Sequence, residues 1–99
     1  MIVIAGFFDV AEGDRQAFLD AKAAQAAHTL GEAGCHEYAF SADAVHAGRV
    51  RLIERWESMD DLAAHLGALR ANGPNPSPVT VLATEFHVFE ATPTRLPTA

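Results

Sequence analysis

Hydrophobic and polar positions change period several times along this chain, and each change marks an element. Residues 2–10 form a short apolar run, rich in β-branched and aromatic side chains and interrupted by Gly6. A run this short suits a strand buried on both faces better than a helix. Residues 11–14 form a turn in which Gly13 or Asp14 can start a helix. Residues 14–30 are alanine-rich and free of proline, a helical composition. At about 100° per residue, Leu19, Ala23, Ala26 and Leu30 make one small-residue stripe, and Phe18, Lys22, Gln25 and Thr29 make a neighbouring polar one. A mixed inward face is expected, because alanines alone fill little volume and leave a pocket.

Past Gly31 and Gly34, residues 35–41 alternate, with His36, Tyr38 and Phe40 against Cys35, Glu37, Ala39 and Ser41. After a loop over residues 42–48, residues 49–57 alternate again, with Val50, Leu52, Glu54 and Trp56 on one side and Arg51, Ile53 and Arg55 on the other. Ser58 is a helix N-cap with Asp61 as its acidic capping-box partner. The helix it opens is expected to turn Leu62, Leu66 and Leu69 inward, with Met59 and His65 at the borders of that stripe. Three prolines between residues 74 and 78 make residues 72–78 a loop. Residues 79–90 read as a long last strand.

The order strand, helix, strand, strand, helix, strand is the ferredoxin-like βαββαβ arrangement, an α+β fold with a four-stranded antiparallel sheet. We expect one domain over residues 1–91 and a flexible Pro/Thr-rich tail over residues 92–99. Val3, Ala5, Phe7, Ile53, Val81 and Ala83 give the sheet apolar character on both sides. A sheet with helices on one face only would leave that surface in water, so we expect a second copy to cover it and close a barrel.

Composition removes several function classes. A formal net charge of −6 argues against a nucleic-acid surface and an anionic membrane surface. One cysteine excludes an internal disulfide framework. No apolar run approaches the roughly 20 residues of a membrane span, and residues 1–4 lead directly into strand pattern without a basic start, so a cytoplasmic protein is expected. No phosphate-cradling loop or dinucleotide fingerprint is present, His36, His46 and His87 lack metal-ligand spacing, and the expected cofactor and metal are none.

Three segments, Glu32-x-Gly34-Cys35-x-x-Tyr38-x-Phe40, Glu54-x-Trp56-x-Ser58 and Leu62-x-x-His65-Leu66, resemble the antibiotic biosynthesis monooxygenase family. That resemblance implies a homodimeric α/β barrel. It also implies cofactor-independent monooxygenation of a small aromatic substrate such as a phenol, quinol or anthrone, with molecular oxygen as the other reactant. His65 is the candidate base, with Trp56 and Tyr38 as the other catalytic candidates. Gln25, Thr29, Phe40 and Leu66 are the candidate substrate-binding residues. Relatives often carry a second histidine about five residues after the first, where Arg70 stands here. Glu54 is expected to pair with an arginine such as Arg49, Arg51 or Arg55, on a neighbouring strand or in the partner subunit.

Two other readings compete. One is a dimeric module that binds a small aromatic molecule without turnover. The other is haem binding and degradation, which some relatives carry out with a first-strand asparagine; residues 1–10 contain none. Each histidine and aromatic could also be merely structural, a satisfied core histidine or a packing ring.

Overall fold

The computed structural model describes residues 1–73 and 79–98; most of the expected proline loop, residues 74–78, lies outside them. Strand β1 (Ile2–Val10) leads through a 3-10 turn (Glu12–Asp14) into helix α1 (Arg15–Thr29). Strands β2 (Cys35–Ala42) and β3 (Arg49–Trp56) follow, then helix α2 (Met59–Ala71) and strand β4 (Val81–Glu90). The sheet order is β2-β3-β1-β4 with every pair antiparallel. This is the ferredoxin-like α+β fold expected from the sequence. No helix among the described residues is long and apolar enough to cross a membrane.

Period-two alternation places the core. On the helix side, Ile2, Ile4, Tyr38, Leu52, Trp56 and Leu62 form one buried cluster, and Val10, Phe18, Val50 and Val79 form another. Phe8 and Phe40 pack against both. On the other side of the sheet, Val3, Ala5, Phe7 and Ile53 are half-buried between charged neighbours. Arg49 pairs with Asp9 at 2.8 Å while its guanidinium lies 3.6 Å from the centroid of the Phe7 ring.

That face holds the arginines, which corrects the expected pairing of Glu54. Arg49, Arg51 and Arg55 bind Asp9, Asp43 and Glu37, whereas Glu54, one step out of phase, points to the helix side.

The inward leucine stripe of α2 is corrected too. Leu62 and His65 are the buried residues of this helix, while Leu66 is 44% and Leu69 39% exposed. Both buried residues lie in the first two turns, with His65 beside Trp56 and Tyr38, and the later leucines are exposed in the single chain. All ten residues of the edge strand β4 are exposed in the single chain, although Phe86 meets Phe8 edge-on with ring centroids 5.0 Å apart.

The β2–β3 loop is organised by Asp43. Its carboxylate accepts the backbone N–H groups of Val45 and His46 at 2.9 and 2.8 Å, and the Arg51 Nε–H at 2.8 Å. These donors, His46 first, then Arg51 and Val45, hold its ionisation far below the ordinary carboxylate range. A carboxyl shifted in that direction stabilises the fold above its unfolded pKa, and the gain disappears as pH falls through the lowered value. Asp43→Asn should therefore be less stable than the parent at about pH 7, with the gap closing towards about pH 2. Urea midpoints at both pH values measure it.

Candidate functional site

Strand β3 ends on Trp56, and the chain turns through Ser58 directly into α2. Ser58 has extended backbone; its Oγ accepts the Asp61 N–H at 3.1 Å and donates to the Asp61 carboxylate at 2.9 Å. Asp61 then bears on a second turn. Gly34 has φ +77 and lies so close to Asp61 that any Cβ there would overlap its carboxylate. Positive φ and close approach both call for glycine. The Gly34 carbonyl accepts the Glu57 N–H at 2.8 Å. The turn between α1 and β2, with Glu32 in it, is thus fastened to the start of α2.

Two turns into α2, His65 is 2% exposed. Its ring centroid lies 4.8 Å from that of Trp56 and 5.5 Å from that of Tyr38. Its Nδ1 is 2.8 Å from Glu32 Oε2. A carboxylate only accepts, so Nδ1 carries the hydrogen and, in the neutral ring, the lone pair is on Nε2. Nε2 has no partner among the described residues, and no buried side-chain nitrogen or oxygen among them is left without one. The residual exposure of the ring therefore includes Nε2.

Two further polar pairs flank the imidazole. Trp56, fully buried, donates from Nε1 to Glu54 Oε1 at 3.0 Å. Burial raises the Glu54 carboxyl above its ordinary range, opposed in part by that hydrogen bond and by the interaction with His65. Gln25 Nε2 donates to the Tyr38 hydroxyl at 3.0 Å. Burial, and after it the Glu54 charge, pushes the Tyr38 phenol far above its usual value against the Gln25 hydrogen bond. Tyr38 is thus a neutral hydroxyl at physiological pH, suited to donate a hydrogen bond and unsuited to act as a base.

The description of the antibiotic biosynthesis monooxygenase family matches residues 1–70. The chain belongs to the antibiotic biosynthesis monooxygenase family. Solved structures share the fold at low identity. A candidate antibiotic biosynthesis monooxygenase from Deinococcus radiodurans is 18% identical, with 100% of both chains covered and a TM-score of 0.76. The protein PA3566 from Pseudomonas aeruginosa is 20% identical, covering 93% of this chain and 94% of its own, at a TM-score of 0.75. The heme-degrader MhuD from Mycobacterium tuberculosis, solved with two hemes bound in its active site, is 15% identical over 96% of this chain and 99% of its own, at a TM-score of 0.76. No curated protein matches the chain.

Within this member of the antibiotic biosynthesis monooxygenase family, His65, Trp56, Tyr38 and Gln25 meet in one cluster. Helix α1 turns its Phe18 stripe inward: Phe18 and Thr29 are each 1% exposed, and Lys22 and Gln25 are half-buried. Of the small-residue stripe, Leu19 and Ala26 are half-buried against the core while Ala23 and Leu30 face solvent, so the inward face is mixed. Phe40 is half-buried and edge-on to Tyr38 at 5.5 Å. Leu66 stands apart on the outer side of α2.

Sequence reasoning missed both carboxylates as partners. The contact of Glu54 with Trp56 was readable, since residues two apart on a strand share a face. The contact of Glu32 with His65 joins residues 33 apart and needs the folded turn. A cleft of about 260 Å³, lined by Asp9, Val10, Glu12, His46, Ala47, Gly48 and Arg49, lies elsewhere. It sits at the far end of β1, where Asp9 faces Arg49, whereas Trp56 faces Ile2 at the near end. Among the described residues, no group of three or more His, Cys, Asp or Glu is placed to hold a metal ion.

Proposed function

We propose that this protein oxidises a small aromatic substrate with molecular oxygen, as a cofactor-independent monooxygenase acting as a homodimer. The observation that carries the reading is the buried His65, held at Nδ1 by Glu32 and presenting Nε2 beside Tyr38 and Trp56. Closed-shell organic molecules react slowly with dioxygen, and deprotonation makes them electron-rich enough to give up one electron. On an anthrone-like substrate, His65 takes a proton from the ring methylene. The carbanion reduces dioxygen by one electron, and the two radicals combine as a peroxide. His65 returns its proton to the peroxide; the second methylene hydrogen then leaves as a proton while the O–O bond breaks, and the released hydroxide takes that proton up, so the methylene plus one dioxygen become a carbonyl plus one water.

The protein's own contribution is a base, a neutral donor in Tyr38 and an apolar wall that excludes bulk water. The face of the sheet opposite the helices, where Val3, Ala5, Phe7 and Ile53 lie among the paired arginines, is the surface through which the second copy associates.

Binding of the same molecules without turnover is the competing reading. Haem degradation is the weaker one, for a reason of local packing. The helix-side position at the middle of β1 is Gly6, and a Cβ there would run into the Glu85 carbonyl and the Phe86 ring. No β1 side chain is available at that point to meet a ligand.

An oxygen electrode with anthrone as probe separates these readings. Oxygen uptake above autoxidation, matched by anthraquinone and lost in His65→Ala, is the expected result. Tight binding of anthrone with no uptake would leave the binding module in its place. Sedimentation at micromolar concentration should give the mass of two chains.

A further inference from the structure

Lys22 is the cation of α1 that turns towards the sheet. Its Nζ lies 5.7, 5.3 and 5.9 Å from the ring centroids of Phe8, Phe18 and Phe40. No carboxylate among the described residues stands within ion-pairing distance of it. Its one hydrogen bond is a long one, 3.3 Å to Gln25 Oε1.

An ammonium has three donors and no acceptor, so two of them are unspent. Three ring faces compensate the charge in part, yet a half-buried ammonium without a counter-charge is costly to keep. Burial accordingly lowers its pKa.

Gln25 sets the direction of the chain of bonds. Its Oε1 must face the ammonium, so its Nε2 faces the Tyr38 hydroxyl, which accepts and keeps its own hydrogen for another partner. Lys22 and Tyr38 therefore present donors from either side of Gln25, against the half-exposed rings of Phe8 and Phe40. Aromatic walls with two converging donors, one of them charged, fit a flat ligand with an ionised oxygen on its rim.

We propose that Lys22 is the specificity-determining residue of this site and selects aromatic ligands that carry an oxyanion, a carboxylate or an ionised phenol. This rests on the aromatic-substrate reading above.

Equilibrium dialysis of 2-naphthoate and 2-naphthamide against the intact protein tests it, because the two probes share size and shape and differ in charge. The expected result is that naphthoate binds about tenfold more tightly, the scale of one added charge-assisted hydrogen bond. Lys22→Met and Lys22→Gln should both remove that preference while leaving naphthamide binding in place, and Lys22→Arg should retain most of it. 4-Nitrophenol, assayed below and above its own ionisation near neutral pH, separates phenolate from carboxylate recognition. Equal binding of the two naphthalenes, or an unchanged preference in both uncharged variants, overturns the Lys22 assignment and spares the aromatic site. Binding of neither probe overturns the aromatic site along with it.

Discussion

Trp56→Ala should cost about 3–5 kcal/mol of stability, the usual toll of deleting a buried indole. The ring is fully buried at the junction of β3 and α2, packed on His65 and in one cluster with Ile2, Tyr38 and Leu62. No flexible neighbour is placed to refill that volume, since the ring lies between a paired strand and a capped helix start. The loss has a second part. Trp56 Nε1–H is the hydrogen-bond donor to Glu54, a carboxyl 6% exposed with no lysine or arginine paired to it among the described residues. Without that donor the acid is buried and unpaired, which costs a further 1–3 kcal/mol or so.

Trp56→Phe separates the two effects, because it keeps most of the volume and none of the donor. It should fall between the parent and Trp56→Ala. Urea unfolding followed by far-ultraviolet circular dichroism gives both values; fluorescence cannot, since Trp56 is the only tryptophan. A loss under about 1 kcal/mol for Trp56→Ala would mean that the site collapses around the gap.

Periodicity and capping made most of this architecture legible in advance. Period-two alternation in β2 and β3 put Tyr38, Leu52 and Trp56 on one face, and Ser58 with Asp61 marked the start of α2 to the residue. The two corrections have separate origins. A pattern reports which face of an element is apolar but not how far that face reaches over its neighbour. Leu66 and Leu69 continue the stripe of Leu62, yet both are exposed in the single chain. The arginines of β3 are adjacent to Glu54 in sequence and on the opposite side of the sheet in space. Helix α1 was ambiguous for the converse reason, because its polar stripe is the buried one. Phe18 at one end and Thr29 at the other fix that face inward, and Gln25 and Lys22 are carried in between them.

His65→Ala should lower kcat/KM on a substrate that is turned over by about 10²–10⁴-fold, the range for losing a positioned general base. The more discriminating test is at Glu32, whose carboxylate holds the imidazole at Nδ1. If Glu32 acts by fixing the ring, then Glu32→Ala lets the hydrogen move between the two nitrogens and the ring turn. The fraction of molecules with a lone pair on Nε2 then falls, so kcat drops while KM changes little. Glu32→Gln keeps an oxygen that accepts the Nδ1 hydrogen, and it should recover most of the rate. A purely structural carboxylate predicts otherwise: stability and rate would fall together in both variants, with no rescue by glutamine. Nitrogen NMR of the His65 ring reports the tautomer directly, with Nδ1 protonated in the parent and in Glu32→Gln and a mixture in Glu32→Ala. In a double-mutant cycle, Glu32→Ala should cost nothing further once His65 is alanine, because the two residues act as one unit.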